Sequence, residues 1–465
     1  MDVLLINPPW KTKKGNIWNS IAGCIPPLGL AQLASYIARD GLRVFIVDSN
    51  ADKISIEEIP GKIRELNISP VFIGITSTTS IINQAIAAAK VCKENYPQSK
   101  IIMGGVHPTL FPDEMLQNIF IDFVVRNEGE ETLLELVSGN DVSSIQGLSY
   151  RVNGVVKHNQ AREFLKSLDD LPFPAYHLLP MKKYRPALGG YKQLPGTGLI
   201  TTRGCPGRCT FCCGQYFGTK IRTRSAKKIF EEIKLLNKDY GIKEIAFYDD
   251  TFTAFKQNVV DLCDLLIASG LNITWSCFAR VDFVSEELLM LMKKAGCHQI
   301  CFGVETASQE ILNNIKKHTS LDKASSAVAL TKKCGIEARI TLMLGNPGET
   351  VQTMEDTLKF AIELDPDIAL FNITTPYPGT EMYNWAKENN YLITTDWSQY
   401  DLSHPVMAVP GLDVQEISKF YKKVYSRFYG RPSYILKQVL RMTNITNITA
   451  GFRALKAVTG VLMNR

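Results

Sequence analysis

No apolar stretch approaches the roughly 20 residues that a bilayer-crossing helix needs, which argues against an integral membrane protein. A dense disulfide framework is also missing. The eleven cysteines are scattered over 465 residues, and Met1-Asp2-Val3-Leu4-Leu5-Ile6-Asn7 runs into a strand pattern with no secretory leader. We therefore expect a cytoplasmic protein whose thiolates stay free for metal. The turn after that first strand, Asn7-Pro8-Pro9-Trp10, has no G-x-G-x-x-G, so a dinucleotide site lacks its phosphate cradle. Acidic residues stop at Glu416, whereas basic ones continue from Lys419, Lys422, Lys423, Arg427, Arg431, Lys437 and Arg441 to Arg453, Lys456 and Arg465, within a formal net charge of only +6.

With hydrophobic residues at 45%, the chain can bury a large core, and its length calls for two to four domains. Short apolar runs at Val3 to Ile6, Val44 to Val47, Phe72 to Ile75, Ile101 to Met103 and Phe123 to Val125 alternate with helical patterns such as Leu28 to Arg39. Five buried strands separated by helices give an α/β, doubly wound (Rossmann-like) domain over 1–140, whose ligand lies over the carboxyl ends of the strands. Prolines cluster in Asp169-Asp170-Leu171-Pro172-Phe173-Pro174, and 141–192 reads as a linker. A second alternating series occupies 193–400, with strands at Gly198 to Thr201, Glu244 to Tyr248, Ile273 to Phe278, Gln299 to Val304, Ala338 to Leu344 and Ile368 to Ile373. Six βα units suggest a partial (β/α)6 TIM-type barrel with its active site in the loops after the strands. Residues 401–465 read as a helical, basic extension.

The run Thr201-Thr202-Arg203-Gly204-Cys205-Pro206-Gly207-Arg208-Cys209-Thr210-Phe211-Cys212 follows the first barrel strand. Iron–sulfur clusters are usually held by four thiolates, so three at this spacing leave one iron of a [4Fe-4S] cluster open. The competing reading is zinc with Cys213 as fourth ligand, although adjacent Cys212 and Cys213 point poorly at one tetrahedral ion. Cys213 is otherwise a buried or substrate-side residue.

Cys205, Cys209 and Cys212 on such a loop resemble the radical S-adenosylmethionine superfamily. So do Phe247-Tyr248-Asp249-Asp250-Thr251-Phe252-Thr253, Gly303-Val304-Glu305-Thr306-Ala307-Ser308 and Met343-Leu344-Gly345-Asn346-Pro347-Gly348-Glu349-Thr350, in matching order. The resemblance implies the three cysteines as metal ligands, S-adenosylmethionine on the open iron and a 5′-deoxyadenosyl radical. It puts Phe211 beside the adenine, Asp249 and Asp250 near the methionine amine, Gly345 and Gly348 close to the adenosine, and Glu305, with Arg280 and Arg339, at the ribose or carboxylate. For each a purely structural role competes: helix capping, chain turning or ion pairing.

In the first domain, Ile6-Asn7-Pro8-Pro9, Pro26-Pro27-Leu28-Gly29-Leu30, Gly104-Gly105-Val106-His107-Pro108-Thr109 and Glu128-Gly129-Glu130-Glu131-Thr132 resemble the cobalamin-binding domain that precedes many such enzymes. The resemblance implies cobalamin contacts from Asn7, Asp48, Ser77, Gly104, Gly105, His107, Glu128 and Gly129. The D-x-H-x-x-G motif that supplies a cobalt-ligating histidine is absent. His107 therefore reads as a loop histidine bonded to backbone or cofactor tail, and the lower face of cobalt as lacking a protein nitrogen.

The implied function is a cobalamin-dependent radical enzyme that methylates an unactivated carbon of a lipid, cofactor or natural-product intermediate. Its electron would come from a reductant such as flavodoxin or ferredoxin. Two alternatives stay open: the same radical used for rearrangement, cyclisation or oxidation, and a non-catalytic cobalamin-binding protein with a structural metal. A methylthiotransferase is disfavoured, since only Cys24 and Cys92 precede the linker. The basic tail suggests peripheral contact with the inner membrane face or lysines left in water beside a packed apolar face, and nothing resembles a dedicated nucleic-acid module.

Overall fold

In Val3-Leu4-Leu5-Ile6 every side chain is apolar, which suits a strand covered on both faces. The computed structural model, describing residues 1–10, 23–187 and 189–441, realises this. Strands β1 (Asp2–Asn7), β2 (Arg43–Asp48), β3 (Phe72–Thr76), β4 (Lys100–Gly104) and β5 (Phe123–Val125) pair in parallel in the order β2-β1-β3-β4-β5. Val3 and Leu5 pack with Leu30, Ile37, Leu133 and Leu136 on one face, while Leu4 and Ile6 pack with Ile59, Ile63, Ile82 and Ala85 on the other.

The sheet continues past the expected boundary. β6 (Leu148–Val152) and β7 (Val155–His158) add to β5 antiparallel, so the first part of 141–192 is sheet edge rather than linker. Asn153 and Gly154 join them with φ of 51° and 81°, the backbone a two-residue hairpin turn requires. The remainder folds back along the first domain, with Arg185 bridging Cys24.

The second sheet is six-stranded and wholly parallel. Its order is β8 (Gly196–Leu199), β11 (Glu244–Phe247), β12 (Thr274–Ala279), β13 (Cys297–Glu305), β14 (Glu337–Leu344) and β15 (Ile368–Ile373), with helices between strands building one large core. A small antiparallel pair, β9 (Thr202–Arg203) and β10 (Arg222–Thr223), closes the base of the cysteine loop.

The edge of β15 is covered by the helix Val414–Tyr429. Four residues along a helix advance about 6 Å and two along a strand about 6.6 Å, so tyrosines spaced by four meet alternate strand residues. The Tyr425 hydroxyl donates to Phe371 O (2.8 Å) and accepts from Phe371 N (3.2 Å). Tyr429 does the same at Ala369 (2.7 and 3.1 Å), and Tyr434 donates to Asp367 O (2.8 Å). The helix buries Ile417, Phe420, Val424 and Phe428 and leaves Lys419, Lys422 and Lys423 exposed, as the packed-face reading expected. Arg453, Lys456 and Arg465 lie outside the described residues. Among the described residues no helix is long and apolar enough to cross a membrane.

Candidate active site

The chain leaves β8 at Leu199, and Asp249, just past β11, fixes the next turn of backbone. Its buried carboxylate accepts from Thr201 N (2.7 Å), Thr201 Oγ1 (2.9 Å), Thr202 N (2.5 Å) and Thr202 Oγ1 (2.8 Å). Asp249 is thus engaged within the protein and holds the cysteine loop rather than facing a ligand. At Gly204 (φ 88°) a Cβ would lie 2.4 Å from Lys220 O, so only glycine makes this turn.

The three thiols then surround a space kept open by two glycines. A Cβ on Gly207 would contact Cys205 Sγ (3.4 Å) and Cys209 Sγ (3.8 Å), and one on Gly214 would contact Cys212 Sγ (3.4 Å) and Cys205 Sγ (3.7 Å). Cys213 turns away, donating to Pro378 O at 3.5 Å. Among the described residues no group of three or more His, Cys, Asp or Glu could hold a single metal ion. Three thiols around room that a side chain would fill fit a [4Fe-4S] cluster with one open iron, while Cys213, the fourth ligand of the zinc reading, is directed to Pro378 O.

Charged groups crowd Cys209. Arg280 Nη1 stands 4.0 Å from its sulfur, and Arg280 Nη2 is tied to Asp282 (2.9 Å) and Lys317 O (2.7 Å). Burial pushes the Cys209 thiol up, and Lys317 and Arg280 oppose that, easing loss of the proton to a metal. Glu305, at φ 69°, pairs with buried Lys317 at 2.6 Å over Gly303, where a Cβ would lie 2.3 Å from Glu305 Oε1. Lys317 Nζ is 5.9 Å from the centre of the Phe211 ring, so Phe211, Glu305 and Lys317 form one wall. Nothing in the pattern around Lys317 singled it out. Arg339 keeps Nε buried and without a hydrogen-bond partner among the described residues.

Gly345 (φ 82°) departs from expectation. The space above its Cα is filled by Ile417, 3.0 Å from where a Cβ would be, so its glycine admits the tail helix rather than an adenosine. The turn is held by Glu349, which accepts from Gly345 N (2.6 Å) and Asn346 N (2.9 Å). At Gly348 (φ 83°) a Cβ would meet only Asn314 Nδ2, at 3.7 Å.

A cavity of about 370 Å³ lies between the two sheets' carboxyl ends, lined by Gly104, Gly105, Asn127 and Gly129 from the first domain and by Arg203, Tyr248 and Asp250 from the barrel. Gly105 (φ 101°) is required there, since a Cβ would lie 2.4 Å from Ser77 O. The structure thus brings Gly104, Gly105, Gly129 and Asp250 to one cavity.

Other first-domain residues expected to meet cobalamin are occupied. Asp48 accepts from Asn7 Nδ2 (2.9 Å) and the Tyr184 hydroxyl (2.7 Å). Ser77 Oγ donates to Thr78 O at 2.9 Å. His107 is fully buried in the short helix Val106–Leu110, 3.2 Å from Thr79 Oγ1 and packed on Phe111 and Trp397, away from the cavity lining, so its partner is a side-chain hydroxyl rather than the backbone or cofactor tail expected of it. Glu128 faces the cavity but binds across the domains. It pairs with Arg203 (2.9 Å) and Arg222 (2.9 Å) and accepts from Leu165 N (2.7 Å), while Glu130 takes the other Arg203 nitrogen at 2.5 Å. Burial pushes the Glu128 carboxyl up, but these contacts outweigh it and hold the carboxyl below its ordinary value. Sequence reasoning missed Arg203 and Arg222, although an arginine immediately before Gly204-Cys205 was a signal that the loop needed a partner.

The sequence matches the Radical SAM superfamily over residues 199–361 and the B12 binding domain over 17–137. An uncharacterized methyltransferase of Pyrococcus horikoshii is 37% identical over 468 residues, covering 99% of this chain and 98% of the relative. The anaerobic magnesium-protoporphyrin IX monomethyl ester cyclase of Rubrivivax gelatinosus is 28% identical over 94% of this chain and 78% of its own. The fold is shared with the cobalamin-dependent S-adenosylmethionine radical enzyme OxsB (TM-score 0.75, 17% identity, 99% of this chain and 72% of that one). It is also shared with the radical S-adenosylmethionine methyltransferase TsrM from Kitasatospora setae (TM-score 0.68, 17% identity, 85% and 76%). The chain belongs to the cobalamin-dependent radical S-adenosylmethionine enzymes, whose cofactors are a [4Fe-4S] cluster, S-adenosylmethionine and cobalamin.

Proposed function

We propose that this enzyme methylates an unactivated carbon of an organic substrate. The observation that carries the reading is the single cavity to which the glycine loops of the first domain and the Arg203-Gly204 and Tyr248-Asp250 segments of the barrel both contribute; the methyltransferase relative matched over nearly its whole length supports it. When bound, the cluster and S-adenosylmethionine supply a hydrogen-abstracting radical and methylcobalamin supplies the methyl group.

The chain's own part is alignment. Cys205, Cys209 and Cys212 would hold three irons, with Gly207 and Gly214 keeping the space. Asp249 sets the start of that loop, and Glu128 with Arg203 fixes the first domain against it, so reacting groups meet at a set distance. Tyr248, which lines the cavity, packs beside Phe278 with ring centres 6.0 Å apart.

Counting products tests this. With the anaerobically reconstituted enzyme and a cell extract as substrate source, S-adenosylhomocysteine and 5′-deoxyadenosine should form together with a product one methyl heavier. Deoxyadenosine alone would favour the second reading, a radical cyclisation or rearrangement, towards which the cyclase relative points. No cleavage of S-adenosylmethionine under reduction would overturn both.

A further inference from the structure

The loop that carries the three cysteines touches the first domain at both of its ends. At its start Arg203 bridges Glu128 and Glu130, and Arg222, its partner across the β9–β10 pair, binds Glu128 as well. At its far end, four residues after Cys212, the Tyr216 hydroxyl donates to Thr109 Oγ1 at 2.7 Å and lies 3.3 Å from Gly105 O. Thr109 Oγ1 in turn accepts from Asn127 N at 2.9 Å. Gly105, Asn127, Glu128, Gly129 and Glu130 are residues with which the first domain lines the cavity. The two loops that would close on cobalamin are therefore the two that grip the cysteine loop.

The arginine grip is not a loose surface contact. The Glu128 and Glu130 side chains are each 4% exposed and that of Arg203 17%. A guanidinium shared between two buried carboxylates has one geometry, because its nitrogens point in fixed directions. Moving the β4 or β5 loop to admit a ligand must move Arg203 and Tyr216, and ordering the cysteine loop on a cluster must fix them.

We infer that Arg203 and Tyr216 are positioning residues that couple the two cofactor sites, so that cobalamin binds more tightly once the cluster is in place. The inference rests on the proposed cobalamin cavity and adds that its affinity is not independent of the cysteine loop. Linkage makes the effect reciprocal: cobalamin strengthens retention of the cluster by the same factor.

The test titrates hydroxocobalamin, followed by visible absorbance, into the full chain before and after anaerobic reconstitution, with the cluster oxidised. For the wild-type chain, reconstitution should lower the Kd about fivefold or more, the lower range of measured couplings. Arg203→Lys keeps the charge but loses the planar fork that fixes the two carboxylates in one geometry, and Tyr216→Phe removes the hydroxyl without changing the ring. Combined, they should bring the ratio towards one while each cofactor still binds, and melting curves of the cofactor-free proteins verify folding. Equal or weaker binding after reconstitution of the wild type overturns the coupling. A ratio unchanged in the double variant overturns the two residues as its carriers. A wild-type chain that binds no cobalamin in either state overturns the cavity assignment and this inference with it.

Discussion

Replacing Asp249 by alanine should release the cysteine loop without altering a single cysteine. The carboxylate accepts four hydrogen bonds, from the amides of Thr201 and Thr202 and from both their hydroxyls. The hydroxyls can rotate to other partners, but the amides are fixed in direction by the chain. Each buried amide left without an acceptor costs about 1–3 kcal/mol, so the alanine variant loses about 2–6 kcal/mol locally. Asp249→Asn keeps an oxygen where three of the donors converge, and the Thr201 hydroxyl can reverse to accept from the new amide; its cost should stay below about 2 kcal/mol. The assay is iron and sulfide content per chain after anaerobic reconstitution, read beside a urea midpoint. The alanine variant should retain much less iron and unfold at lower urea, and the asparagine variant should sit close to wild type. Wild-type iron content and midpoint in the alanine variant would refute the claim that Asp249 holds the loop.

Three further outcomes are expected. Tyr425→Phe orphans Phe371 N and O on the edge of β15 and should cost about 2–6 kcal/mol, measured by denaturant unfolding; a loss below about 0.5 kcal/mol would mean that water replaces the hydroxyl. Burial pushes the Glu349 carboxyl from 4.5 up to about 7. A carboxyl raised by folding contributes stability that is full below the unfolded value and lost as pH rises through the folded one, here by up to about 3 kcal/mol. Wild type should therefore lose stability relative to Glu349→Gln between about pH 4.5 and 7; a pH-independent difference would contradict the shift. Cys213→Ala should keep its full iron content, whereas Cys209→Ala should lose the cluster; loss of iron in the Cys213 variant would make that thiol a ligand.

Most strands were legible as short apolar runs, several of them closed by Asn, Asp or Gly, as at Asn7, Asp48, Gly104 and Gly345, and the cysteine spacing by itself pointed to a metal cluster. The hairpin of β6 and β7 was also written in the chain, in Val152-Asn153-Gly154-Val155, but the neighbouring prolines drew the stretch into the linker reading. What escaped was the partner of each polar strand-end residue. Glu128 meets Arg203 and Arg222 across 75 and 94 positions, and Asp48 meets Tyr184 across 136. A carboxylate at the carboxyl end of a strand looks alike whether it faces a ligand or a distant arginine, and only the folded chain tells the two apart. Gly345 gives the same lesson: its positive φ could be expected, but not that Ile417 of the tail helix would take the space.

The central claim is that three protein thiolates leave one iron of the cluster open. Mössbauer spectra of the anaerobically reconstituted chain, recorded with and without S-adenosylmethionine, test it most directly. One iron in four should change its isomer shift and quadrupole splitting when S-adenosylmethionine is added, since that iron alone takes a new ligand set. Spectra that do not respond, from a cluster whose four irons all carry protein sulfur, would contradict the account.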